Sequence, residues 1–263
     1  HNDLHTALGA EDPDSPLTFG SEFRPTSTLE PIFQHHPLWP NVRQWLQAGV
    51  TYPLRPLSEP ARRHDLLQKI ERGNHKSALM SLDKLVPMFG DEVKQGWQLI
   101  LPLEAATRIP NLVMAPVGFV KQDTIDEHGG VIDKFRVTHD QSFNVVPDTK
   151  RSVNDRVIDE ELTPCRYGKA LSRYLHWIAH LRASAPTEPI YQTKTDYKAA
   201  YRRMHNSAAT AVQAAITVGG FLLLALRLTF GGKPNPSRWC DLSEMLCDLG
   251  NDLLRSPDLW DST

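Results

Sequence analysis

Cysteine is scarce: Cys165, Cys240 and Cys247 are the only three among 263 residues. Their spacing matches no metal-ligand motif, and any disulfide scheme leaves one unpaired. Such sparse use fits a reducing, intracellular compartment, cytoplasmic or nuclear. A strong charge of either sign is also missing. The formal net charge of −2 does not by itself announce a nucleic-acid partner. The polar, acidic first residues show no secretory leader, and no initiator methionine opens the chain, which reads as a fragment. Internal repeats and low-complexity tracts are absent. One uncharged run of 19 residues, 208–226, is long enough to span a bilayer. Gly219-Gly220 near its middle, between segments rich in β-formers, predicts a β-hairpin instead, and Arg227 follows at once. No membrane partner is expected; an anchored interaction protein using this run is the rival reading.

A hydrophobic content of 40% and a charged content of 23% are ordinary for a globular protein with room for one or two domains. Charge is unevenly spread. Residues 164–205 carry eight Lys/Arg against Glu188 and Asp196, whereas residues 1–35 carry six acids against Arg24 alone. The basic stretch suits a phosphate backbone or, equally, a solvated helix face.

Residues 1–31, rich in Asp, Pro, Ser and Thr, are expected to be disordered or loosely attached. Residues 32–57 mix proline with Phe33, Trp39, Trp45 and Tyr52 and read as an irregular packed segment. Ser58-Glu-Pro60 opens a helix that Gly73 stops. A second helix over Lys76–Val86 is expected to end at Pro87. Val113–Lys121 and Val131–Thr138 flank a turn-rich Asp126-Glu-His-Gly-Gly130 and predict a long hairpin. Pro164–Ser184 is helical, with Leu171, Tyr174, Leu175, Ile178 and Leu181 on one stripe. Pro189–Asp196 reads as a strand. Ser237–Arg255 is the clearest helix, with Trp239, Leu242, Met245, Leu246, Leu249 and Leu253 on one face, Cys240 and Cys247 as small packing groups, and Pro236 just before it. The fold class is α+β, with antiparallel hairpins packed on helices. Its expected division is an N-terminal extension, 1–75, and a main body, 76–263.

The chemistry-bearing pattern is Asp196-Tyr-Lys-Ala-Ala-Tyr201 followed by Phe230-Gly-Gly-Lys-Pro-Asn-Pro236-Ser-Arg-Trp239. An aspartate ending a strand can cap a turn, or it can give carboxylate oxygens to a hard cation such as Mg²⁺. A glycine lets backbone approach a ligand with no side chain between them. Upstream, Arg136-Val-Thr-His-Asp140 and Lys121 lie on the expected hairpin; they are either an exposed charged surface or a phosphate grip, for which the guanidinium fork is suited.

In this order the three segments resemble motifs of reverse transcriptases, especially of retrotransposons, and Thr138-His-Asp-Gln-Ser142 with Ser152-Val-Asn-Asp155 adds to the likeness. The resemblance spans residues 113–255 and implies polymerase-like fingers and a partial palm. It implies that Asp196 is catalytic and binds Mg²⁺ (or Mn²⁺). It further implies that Tyr201 excludes a 2′-hydroxyl, that Arg136 and Lys121 hold the dNTP triphosphate, and that Phe230, Gly231 and Pro236 shape the nucleotide and template pocket. RNA polymerases of similar arrangement commonly carry an acid where Tyr201 stands, so the ring favours DNA synthesis. The implied partners are an RNA or DNA primer–template and further polyprotein domains. Nucleotidyl transfer of this kind uses two metal ions. The paired-aspartate turn of the family is missing from these residues, so little activity is expected from them alone. The alternative is a non-catalytic nucleic-acid-binding or assembly module of the same descent.

Overall fold

The computed structural model describes residues 23–126, 128–165, 169–192 and 197–255. Helix α1 (Thr26–Phe33) and helix α2 (Trp39–Ala48) occupy a region expected to be loose or irregular. The reason is a stripe hidden among prolines. Trp39, Val42, Trp45 and Leu46 recur at helical spacing and are all buried. Pro40 falls in the first turn of α2, where its missing N–H costs nothing. Phe33 stacks on Trp39 at 5.7 Å. The expected disorder of residues 1–31 otherwise falls largely on 1–22, outside the described residues.

Helix α3 (Glu59–Arg72) begins and ends as its Ser-Glu-Pro and Gly signals require. Next come a single turn, α4 (Lys76–Leu79), and α5 (Leu82–Lys94). Pro87 lies inside α5 rather than ending it. Leu85 and Phe89, buried on either side of the proline, hold the helix through the lost hydrogen bond.

Strand β1 (Gln98–Pro102) precedes the long hairpin of β2 (Val117–Ile125) and β3 (Val131–His139), paired from Val117↔His139 to Ile125↔Val131. Its turn is closed by Asp126, whose Oδ1 accepts from Gly130 N at 2.7 Å. Residues 113–115, expected in the first strand, instead run beside the second hairpin through a parallel Met114↔Ala215 bridge. Helix α6 (Ala170–Ser184) follows, and its expected apolar stripe is largely uncovered: Leu171 is 71% exposed and Leu175 57%.

The uncharged run becomes one short helical turn, α7 (Ala208–Ala211), then β4 (Ala215–Val218) and β5 (Phe221–Ala225). Gly219 and Gly220, at φ 59° and 83°, make the connecting turn, a backbone shape that favours glycine at both positions. The antiparallel order is β1-β5-β4. No helix among the described residues is long and apolar enough to cross a membrane. Helix α8 (Pro234–Arg255) closes the described chain, starting three residues before the expected Ser237.

The architecture is thus mixed α+β with small antiparallel sheets. Around β5 the core contains Leu99, Met114, Leu222 and Leu224; a second cluster joins Trp39, Trp45 and Tyr52 to Met204, Leu228, Leu242 and Met245. Residues from both sides of the expected division at residue 75 share this second core. A third, with Leu85, Phe89, Val117 and Phe119, seats the base of the long hairpin on α5. Asn74 ties the two hairpins together: its Oδ1 accepts from Val117 N at 2.8 Å and its Nδ2 donates to Thr217 O.

Candidate functional site

The chain leaves β5 through buried Leu226 and Leu228 and surfaces at Phe230 before α8 begins. At that point the end of β3 holds it. His139 N donates to Phe230 O at 3.1 Å. Gly231 has φ 120°, and a Cβ there would stand 1.8 Å from His139 O. Only glycine fits, because a side chain would occupy the space of that carbonyl.

Asn154 clips the same loop from the other side. Its Nδ2 donates to Gly231 O at 2.8 Å and its Oδ1 accepts from Lys233 N at 2.8 Å. Beneath the loop, the fully buried Asn235 accepts from Tyr52 Oη at 2.7 Å and donates to Thr229 O. Burial holds the Tyr52 phenol well above its ordinary range, so it remains a neutral donor. Pro236 sits half-buried in the first turn of α8.

Tyr201 lies on a 3-10 turn, Ala200–Arg203, and its ring rests against that of Phe230 with centroids 5.1 Å apart. Arg202 anchors the turn, giving Nη1 to Leu228 O at 3.1 Å and Nη2 to Glu92 at 2.6 Å. Tyr197 meets Trp239 of α8 edge-on at 5.4 Å. Asp196, the residue before it, lies outside the described residues, as do residues 193–195 of the expected strand, and residues 189–192 form no strand.

The hairpin residues divide. Strand alternation puts Arg136, opposite Val120, on one face, and Lys121, opposite Phe135, on the other. They therefore do not converge directly on one phosphate group. Lys121 bridges Asp133 at 2.9 Å, and that hydrogen bond raises the ammonium above its ordinary range. Arg136 is exposed, three residues or about 10 Å along the strand from His139. Asp140 accepts from His75 Nε2 at 3.0 Å and so fastens the hairpin base to the start of α4.

The described carboxylates around the loop are engaged: Glu92 by Arg202, Asp140 by His75, and Asp241 by the Thr163 hydroxyl at 3.0 Å. Among the described residues no three His, Cys, Asp or Glu side chains gather to hold a metal ion. His139 is fully enclosed, and burial, reinforced by Arg202, pushes its imidazole down to about 3. It is a neutral packing group at the joint between hairpin and loop, set edge-on to Phe89.

Tyr201, Phe230, Gly231 and Pro236 thus gather at one loop, with Arg136 on the strand that ends there. Tyr52, Asn154, Asn235 and Arg202 were not foreseen as supports. Asn154, within Ser152-Val-Asn-Asp155, and Asn235, within Phe230-Gly-Gly-Lys-Pro-Asn-Pro236, lay inside motif segments, whereas Tyr52 and Arg202 did not. Comparison with known proteins gave no match: no family model, no curated protein and no solved structure matches the chain.

Proposed function

We propose that residues 113–255 form the fingers and the first part of the palm of a retrotransposon-type RNA-directed DNA polymerase, working inside the cell on an RNA or DNA primer–template. The observation that carries this reading is the meeting of Tyr201 and Phe230 at 5.1 Å, beside a Gly231 that admits no side chain. Segments far apart in the chain converge there, as a pocket for a nucleotide sugar requires. An aromatic ring closing such a pocket excludes a 2′-hydroxyl by contact alone. Gly231 lets the loop close against the end of β3, which fixes Phe230 beside Tyr201. Arg136, exposed on the strand that ends at this loop, is the favoured triphosphate contact; Lys121, on the opposite face, would act on a different part of the ligand. The reading assigns Asp196 as the carboxylate for Mg²⁺ or Mn²⁺, the ion that in such reactions stabilises charge on the transferred phosphoryl group.

Primer extension on primed RNA tests it. These 263 residues, lacking a second carboxylate pair, should extend little or nothing. A longer chain supplying that pair should incorporate dNTPs. In that chain, Asp196→Ala should abolish synthesis while template binding persists, and Tyr201→Val should admit ribonucleotides. Robust synthesis by the 263 residues, or unchanged sugar discrimination in Tyr201→Val, would overturn the assignments. Template binding without synthesis in the longer chain would favour the non-catalytic module.

A further inference from the structure

A second, open concave site of about 400 Å³ lies between segment 51–57, residues 109–113 and α7. That volume falls in the range of small-molecule sites. Leu57, Ile109 and Val212 supply apolar wall, while Arg55, Arg156 and Gln213 supply polar groups. The cations are the unusual part. Arg156 is only 6% exposed, yet among the described residues no carboxylate pairs with it. Its Nη1 donates to Arg55 O at 3.3 Å, its Nη2 donates to Gln213 Oε1, and its Nε meets no partner. Burial alone holds its guanidinium below the ordinary range, with no acid to offset it. Among the described residues Arg55 likewise has no acid beside it, and its Nη1 donates to Val157 O at 3.4 Å.

The surrounding charges do not cancel these two. Glu59 is taken by Arg62, and Asp65 by Arg151 at 3.2 Å. Lys69 lies in an adjoining recess that shares Leu57, Arg62 and Val113 with the larger cavity. Its amine is pushed down to about 8, mainly by burial, with Arg156 acting in the same direction and Asp65 against it. A buried cation without an anion is costly, and a bound anion removes that cost.

We propose that this cavity binds a phosphate monoester, with the phosphate between Arg55 and Arg156 and the apolar body of the ligand against Leu57, Ile109 and Val212. A phosphate is favoured over a carboxylate because a near-dianion matches two guanidinium groups with a lysine behind them. The ester could come from a free nucleotide or from the 5′ end of a strand. The inference stands apart from the polymerase reading, since Arg55 and Arg156 are not among the residues assigned to that site, although Tyr52 lines the cavity wall.

Titration calorimetry on the 263-residue protein tests it, with AMP, inorganic phosphate, and a short single strand with and without a 5′-phosphate as probes. AMP should bind saturably, and Arg55→Ala and Arg156→Met should each weaken it at least tenfold. Arg55 is exposed, so Arg55→Ala should keep the unfolding midpoint and separates lost binding from lost fold. AMP binding identifies a free-nucleotide site; binding of only the 5′-phosphorylated strand identifies a strand end. Failure of all probes, or binding indifferent to Arg55→Ala and to the 5′-phosphate, would overturn the proposal and leave Arg156 as a clamp on backbone and Gln213.

Discussion

The two β-hairpins have the same topology and opposite fates. In β4–β5, Ile216, Val218, Leu222, Leu223 and Leu224 are all buried, with β1 on one edge and residues 114–115 on the other. In β2–β3 only the base is buried, at Val117, Phe119 and His139, while Ile125 and Val131 at the far end are at least 70% exposed. The difference is charge. The inner hairpin carries none, whereas the outer one spreads Lys121, Asp123, Asp133, Lys134 and Arg136 over both faces. A strand apolar on both faces must be covered on both, and a strand with charge on both faces cannot be. A buried hairpin thus serves as scaffold, and a projecting one is free to contact a ligand. The loop at Phe230-Gly231 joins them.

The contrast can be broken at that joint. Gly231→Ala forces a side chain into His139 O at a strained φ and should cost about 3–5 kcal/mol, read by urea unfolding. A loss below about 1 kcal/mol would mean the joint is loose. Next, Leu224→Ala, fully buried at the centre of the inner hairpin, should cost about 3 kcal/mol. Val120→Ala, 43% exposed on the outer one, should cost under about 1 kcal/mol. Equal costs would deny that the hairpins differ in burial.

Acid should act at the joint too. Burial holds His139 down to about 3 and His205 to about 4, so both stay neutral in the native state while the unfolded chain takes up protons near pH 6.5. The unfolded state then binds more protons, and stability present at pH 7 falls as the pH drops from about 6.5 toward 4. At pH 5 each histidine should have withdrawn about 2 kcal/mol. The His139→Leu variant should show a shallower fall between pH 7 and 5; an unchanged slope would place the imidazole in water. Smallest of all, Lys121→Ala removes an exposed ion pair with Asp133 and should leave the unfolding midpoint where it was.

Much of the fold was legible because local signals were strong. Ser58, Pro60 and Gly73 bracket α3, Gly219-Gly220 marks the inner turn, and the stripe of α8 announces a helix. The prolines misled. Pro40 hid α2 although it sits where a helix tolerates it, and Pro87 lies within α5 because Leu85 and Phe89 hold the helix around it. The site was legible as residue types in order, but its supports were not. Nothing in the neighbourhood of Tyr52 or Asn235 says that the two will bond across 183 positions. The facing of Arg136 and Lys121 depends on strand register, and a slip of one residue reverses it.

By itself the amino-acid order determined where chain reversals and helices fall, and which residue types could do chemistry. Those properties arise from backbone freedom and apolar spacing over a few residues. Which hairpin is enclosed, how Tyr201 meets Phe230, and why Arg156 lacks an acid were decided only when the elements packed. Contacts between distant segments depend on shape and on competition for the interior, which no short stretch of chain encodes.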